Sequence, residues 1–220
     1  MSDVDKNAAL TILTMEHNTL QMIRTATITD ATGRAGHLLT AISAAMIALG
    51  FVAQVVSPTV LLTLVLVLFG ALFLIGLATL FRTVELTIED VQAGLGINRI
   101  RHVYADLEPS TREVFVRQMH DDTPGVEADS GQTGWRGARR PRLIGTALGV
   151  SGLVNLVNGL VAGVVAGAAA GLLGVGLTWS IVLGVLVSAA VISAFGVALG
   201  RIGRRGLAPI ATRFPRNNPN

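Results

Sequence analysis

The chain has 220 residues, 51% of them hydrophobic and only 14% charged, with 17 basic and 14 acidic side chains. A soluble domain carries about a quarter charged residues, so this composition argues against a water-soluble domain. The lack of cysteine excludes a disulfide framework, a thiol nucleophile and a thiolate metal site.

Residues 7–30, NAALTILTMEHNTLQMIRTATITD, contain neither proline nor glycine. Leu10, Leu13, Leu20 and Ile23 fall at heptad spacing, with His17 and Arg24 in the same register, while Ile12, Met15 and Met22 form a second apolar line. The spacing predicts an amphipathic N-terminal helix within residues 1–37, running toward the first span with Gly33 and Gly36 near the membrane surface. Its polar layout is not that of a cleavable signal peptide.

From Leu38 to Phe81 there is no Asp, Glu, Lys, Arg or His, and the same holds from Leu143 to Gly200. A helix needs about 20 apolar residues to cross a hydrocarbon core of about 30 Å. Each run is therefore long enough for two crossings. Val56-Ser57-Pro58-Thr59 carries a turn signal in the first run, which predicts spans at 38–56 and 60–81. In the second run, clustered glycines between Gly171 and Gly176 predict spans at 143–170 and 177–200.

Between the hairpins, residues 82–142 read as cytoplasmic helices and a linker. RTVELTIEDVQAGLGINRIRHVYADLE looks like a helical extension of the second span, kinked at Gly94-Leu95-Gly96 and ended by Pro109. Ser110-Thr111-Arg112-Glu113 has the form of a capping box. It predicts a short helix to about Asp122 with Val114, Phe115 and Met119 on its apolar side. Thr123 to Pro141 reads as a flexible linker. These helices are too apolar to stand alone in water, so they are expected to pack together, against other copies or on the membrane surface.

The third span holds Gly159, Gly163, Gly167 and Gly171 at every fourth position, a glycine zipper, after Gly145 and Gly149. Residues four apart lie on nearly one helical face, where small side chains let backbones approach in lipid. The fourth span answers with Ser180, Gly184, Ser188, Gly196 and Gly200, and the first with Ala41 and Ala45. Two readings follow: close packing within one bundle, or an interface between subunits. Ser151, Asn155 and Asn158 form a polar stripe on the same span. Because a buried amide is costly unless paired, the stripe serves either as interhelical glue or as the wall of a wet lumen shared by several subunits.

All 17 basic residues lie outside the two uncharged runs. Arg34, Arg82, Arg142 and Arg201 mark one end of each span. By the positive-inside rule, both termini and the central segment are cytoplasmic, in a multi-pass protein of the inner (plasma) membrane. Residues 201–220 form a basic tail with five arginines and no acid. The tail suits an anionic leaflet, so nucleic acid is not needed to explain it. No cofactor, metal or catalytic set is expected. His102 and Asp106, and His120-Asp121-Asp122, read as solvated helix faces, because no metal-ligand motif is present. Gly94-x-Gly96 lacks the remainder of a dinucleotide fingerprint, Gly33-Arg34-Ala35-Gly36 lacks a P-loop lysine, and no G-x-S-x-G occurs. Uncharged spans also argue against ion-coupled transport.

The segments MEHNTLQMIRTATITDATGRAG, LIGLATLFRTVELTIEDVQAGLGINRIRHVYADLEP and VRQMHDD resemble a family of actinobacterial multi-pass membrane proteins, over roughly residues 10 to 170. That resemblance implies membrane insertion and brings no assigned activity. ITDATGRAGHLLTAISAA, in which Arg34 and small residues precede the first span, is similar to SLATT and Pycsar-type bacterial defence effectors. Those are thought to oligomerise and perturb membranes. The combined expectation is an all-α, four-span transmembrane helical bundle of two hairpins with cytoplasmic helical extensions. It would be non-enzymatic and self-associating, a homo-oligomer that forms a pore or perturbs the bilayer. The alternatives are a scaffold recruiting a cytoplasmic protein partner and, least favoured, a carrier for a small neutral solute.

Overall fold

Four α-helices follow one another in a computed structural model that describes residues 3–122, 125, 149–208 and 210–215. They are α1 (Asp3–Val52), α2 (Pro58–Leu107), α3 (Val150–Leu172) and α4 (Leu177–Leu207), with a short 3-10 turn at Pro109–Glu113 after α2. Among the described residues there is no strand. All four helices are long and apolar enough to cross a membrane. The chain is an all-α integral membrane protein with four spans. The expected linker at 123–141 (apart from Gly125), the opening of the third span at 143–148 and Arg216 lie outside the described residues.

α1 and α2 have 50 residues each. At 1.5 Å per residue such a helix is about 75 Å long, more than twice a hydrocarbon core of about 30 Å. Each therefore joins a span to a long charged extension without a break. The amphipathic N-terminal helix and the first span are a single element. At Gly33 and Gly36 an added Cβ would meet nothing within 4 Å.

The first span ends at Val52 rather than 56. There Gln54 N donates to the Phe51 carbonyl at 3.2 Å and Val55 N to that of Val52 at 3.0 Å, a tightened final turn. Pro58 then opens α2, where its missing N–H costs nothing. The second hairpin closes on Gly174, at φ +80°. Val175 N reaches the Ala170 carbonyl at 3.0 Å and Gly174 N that of Gly171 at 3.1 Å. This is a glycine-terminated helix end, in which glycine takes the left-handed conformation without a Cβ clash.

α2 passes through Gly94 and Gly96 to Leu107 as one helix. The helix expected over 110–122 does not form. Glu108 is extended, at φ −140° and ψ 92°, and no side chain caps the turn. Ser110 Oγ donates to Glu108 Oε1 at 2.8 Å instead of capping the helix with Glu113. Val114 and Val116 are exposed. Segment 118–121 is held by α2 instead: Asn98 Nδ2 donates to the His120 carbonyl at 3.1 Å and Arg101 Nη1 to that of Gln118 at 3.4 Å.

The chain divides into two units. One, the bundle, comprises residues 31–85 and 149–203 and has two apolar clusters. Ala35, Leu38, Leu80 and Val154 form the first, and Ala45, Phe69, Leu72 and Val161 the second. The other, a charged unit, comprises residues 3–30, 86–122 and 204–215 among those described.

Candidate functional site

α3 is the inner helix of the bundle. Half of its most apolar 18-residue stretch is buried, against 17% of the corresponding stretches of α1 and α2 and none of that of α4. The glycine stripe explains how α4 is held despite burying so little. A Cβ added at Gly159 would strike the Ile192 side chain, and one at Gly163 would strike Ser188 Oγ and the Gly184 carbonyl. At Gly167 it would come within 3.3 Å of the Ser180 carbonyl, and at Gly184 within 2.8 Å of the Gly163 carbonyl. Gly159, Gly163 and Gly167 thus lie against α4 of the same chain. Backbones this close gain dispersion and weak Cα–H···O contacts of about 0.5–1 kcal/mol each.

Gly171 leaves the stripe and faces Leu62 of α2, 3.1 Å from an added Cβ. Positions four apart rotate by about 40° per step, so three steps turn the face by about 120°. The face expected to present four glycines therefore presents three to α4 and one to α2. Among the answering positions, Ser180, Gly184 and Ser188 meet α3. A Cβ added at Gly196 would lie 3.8 Å from Asn155 Nδ2 of α3, and one added at Gly200 would meet no atom within 4 Å.

Three polar residues climb α3 beside this contact. Ser151 Oγ donates to the Thr83 carbonyl of α2 at 3.1 Å. Asn155 Nδ2 donates to the Ile192 carbonyl of α4 at 3.0 Å. Asn158 is 1% exposed and sits against Gly76 of α2, where a Cβ would run into its carboxamide. Neither polar atom of Asn158 has a hydrogen-bond partner among the described residues, nor does Asn155 Oδ1. An unpaired buried group costs about 1–3 kcal/mol. Gly76, the lone glycine in LIGLATL, carried no signal of this contact in the sequence.

In the charged unit, α1 packs along a narrow seam. Arg24 Nε and Nη2 grip Asp90 at 2.8 and 3.3 Å. His17 stacks on Tyr104 at 6.2 Å. Leu20 fills the space left by Gly96, and Arg24 lies 3.7 Å from a Cβ built at Gly94. Gly94 and Gly96 serve as a receptacle for α1. His17 Nε2 accepts from Gln21 at 2.8 Å. Burial, with the Arg101 charge adding to it, lowers the pKa of His17 and favours the neutral ring.

Leu10 and Ile23, placed on the packed line by sequence, are exposed. On the far side of α1, Ile12, Met15 and Met22 are each about two-thirds exposed, at 67%, 66% and 65%. With Ala8, Thr19 and Ala26 they follow an unbroken alternation of four- and three-residue steps.

Asp121, expected on a solvated helix face, has a side chain with 0% exposure. It accepts Arg99 Nε at 2.6 Å and the amides of Arg213 and Phe214 at 2.9 and 2.7 Å. Asp121 N reaches the Phe214 carbonyl at 3.3 Å, and Phe214 stacks on His102 at 4.0 Å. Burial pushes the Asp121 carboxyl up, but the Arg213 amide, Arg99 and the Phe214 amide together leave it below its ordinary value. His102 and Asp106 form only a 3.6 Å pair. Among the described residues, no group of three or more His, Asp or Glu side chains could hold a metal ion.

No family model, curated protein or solved structure matches this chain. The class defined by the fold is an integral membrane protein with four apolar helices, and its functional reading rests on the contacts above.

Proposed function

We propose that this chain is a non-catalytic membrane protein that assembles with copies of itself, and that copies meet along Ala8, Ile12, Met15, Thr19, Met22 and Ala26 of α1. The observation that carries this reading is the exposed apolar line of α1. Heptad spacing fits a partner helix, whereas a membrane surface calls for a wider apolar face on an in-plane helix. Because α1 is one helix from Asp3 to Val52, its first half is not a separate interfacial segment. Two copies sharing a membrane orientation would pair in parallel. Thr11, Asn18 and Thr25 would then flank Glu16, Ile23 and Asp30 of the second copy, so no like charges meet across the seam. In this reading the zipper of Gly159, Gly163 and Gly167 builds each subunit, and assembly uses a different surface. A lumen lined by Asn155 and Asn158 is not part of it.

The same proposal sets both termini and residues 82–142 on the cytoplasmic face, supported by the confinement of all 17 basic residues to segments outside the uncharged runs. Arg201, Arg204 and Arg205, which directly follow the fourth span, then lie at an anionic leaflet, where each charge contributes about 1 kcal/mol.

A cysteine-free chain makes the test direct. Met22→Cys in liposomes is expected to give disulfide-linked dimers, and Ile28→Cys is not. Ile28 is 55% exposed but lies off the line. Equal cross-linking at both sites, or a monomeric mass in nanodiscs whatever else the chain captures, would refute the proposal.

A further inference from the structure

We infer that the carboxamides of Asn155 and Asn158 form a site inside the bundle for a small neutral molecule that both donates and accepts hydrogen bonds, with water the smallest of that class. Asn158 is 1% exposed and Asn155 7%, and three of their four polar side-chain atoms have no partner among the described residues. Native interiors pair such groups with protein or with a small bound molecule. An apolar side chain of similar shape would carry no such cost at either position.

The chemistry narrows the ligand. Asn158 offers a two-proton donor and an acceptor, and Asn155 offers Oδ1 as an acceptor. The Nδ2 bond to the Ile192 carbonyl, at 3.0 Å, fixes the orientation of Asn155. A molecule that donates to both oxygens and accepts from the Asn158 amide, three bonds within the capacity of one water, would pair all three atoms. No ionisable residue lies between Leu38 and Phe81 or between Gly149 and Gly200. A bound ion would therefore have no countercharge.

Size is limited as well. The Asn158 carboxamide already occupies the notch at Gly76, and Val154 and Val161 on the same helix are 2% and 4% exposed. We take water, the smallest molecule with this chemistry, as the occupant. Along α3 itself, polar side chains lead in from one end only. Ser151, on the Thr83 carbonyl, stands one turn before Asn155. One turn beyond Asn158 begins the cluster of Ala45, Phe69, Leu72 and Val161.

The test is water-to-protein magnetisation transfer, by solid-state NMR on the full chain in liposomes with labelled asparagine and valine. The Asn158 side-chain amide, identified by its loss in Asn158→Leu, is expected to receive water magnetisation severalfold faster than the Val154 and Val161 methyls. The same variant should slow transfer to Asn155 Nδ2 severalfold. Transfer to Asn158 at the valine rate would overturn the inference, as would an Asn155 rate unchanged by Asn158→Leu. If that variant fails to fold, site-specific labelling makes the first comparison on the unaltered chain, and its outcome decides.

Discussion

Replacing Gly184 with alanine tests how α4 is held. The added Cβ would stand 2.8 Å from the Gly163 carbonyl oxygen, whereas ordinary contact begins at 3.4 Å. Both partners are backbone, so no rotamer change relieves the overlap, and the helices must part by the difference, about 0.6 Å. Overpacking of this kind costs about 1–3 kcal/mol, while alanine in place of glycine returns about 0.5–1 kcal/mol of helix preference. The expected net result is a loss of about 1 kcal/mol, and more for Gly163→Ala, which meets both Ser188 and Gly184. Gly70 and Gly203 provide controls within the same unit, because a Cβ there meets nothing within 4 Å. Alanine at either should leave stability unchanged or raise it by about 0.5–1 kcal/mol. Reversible unfolding of the full chain in bicelles measures all four variants. The reasoning fails if Gly184→Ala matches Gly70→Ala. It also fails if Gly184→Ala splits an assembly into monomers of undiminished stability, since the stripe would then join subunits.

Gly76→Ala should destabilise the bundle by driving a Cβ into the Asn158 carboxamide. Combining it with Asn158→Ala should recover about 0.5–3 kcal/mol of coupling in a double-mutant cycle, and strict additivity would contradict the contact. Asp121→Asn should free the segment around Arg213 and Phe214, seen as faster tryptic cleavage after Arg213. Because the folded-state pKa of Asp121 is lowered, its contribution is present above the ordinary carboxylate pKa and is lost as pH falls through the folded value. The order of the Arg213 and Phe214 backbone, read by NMR relaxation, should therefore fall on acidification of the unaltered chain, and that of Asp121→Asn should not change. His17 has the opposite charge logic. Its lowered pKa means that the undocked ring binds a proton first, so stability holds above about pH 6.5 and drops below it. His17→Phe, which keeps a ring beside Tyr104, should flatten that part of the pH profile of thermal unfolding.

The four spans were legible because hydrocarbon tolerates almost no charge, and absence of charge over 44 and 58 residues is a long-range property of the sequence. Both hairpin turns were legible from Pro58 and from the glycines around Gly174, whose backbone preferences act locally. Ser110 to Glu113 was misleading for the same reason. The four residues match a capping box, but the outcome was set by Asn98 and Arg101, which hold the backbone of 118–120 from up to 22 positions away. Asp121 looked solvated because the amides that bury it belong to residues 213 and 214, over 90 positions further on. Gly94 and Gly96 advertised bareness without saying what fills it, and Leu20 and Arg24 do so from another helix.

Membrane bundles lack a strong apolar drive for helix association, because lipid is as apolar as leucine. This bears most heavily on α4, whose buried residues are only Ser180 and Gly184. Its hold on the bundle includes close backbone contact with α3, Phe195 and Leu199 packed on the cluster of Ala35, Leu38, Leu80 and Val154, the edge-on pair of Phe81 and Phe195 at 6.4 Å, and the bond from Asn155 to the Ile192 carbonyl. Glycine contacts bring the helices close but are tolerant of sliding, since one glycine is much like the next. A side-chain bond to one particular carbonyl is not. Asn155 therefore sets the register of α4 on α3, and Asn155→Leu should let α4 shift while α1 and α2 stay paired. Cysteines at positions 167 and 180 would report this in membranes. Their disulfide yield should fall in Asn155→Leu, whereas a pair placed at positions 45 and 69 should be unaffected. An unchanged 167–180 yield would mean that the glycines alone fix the register.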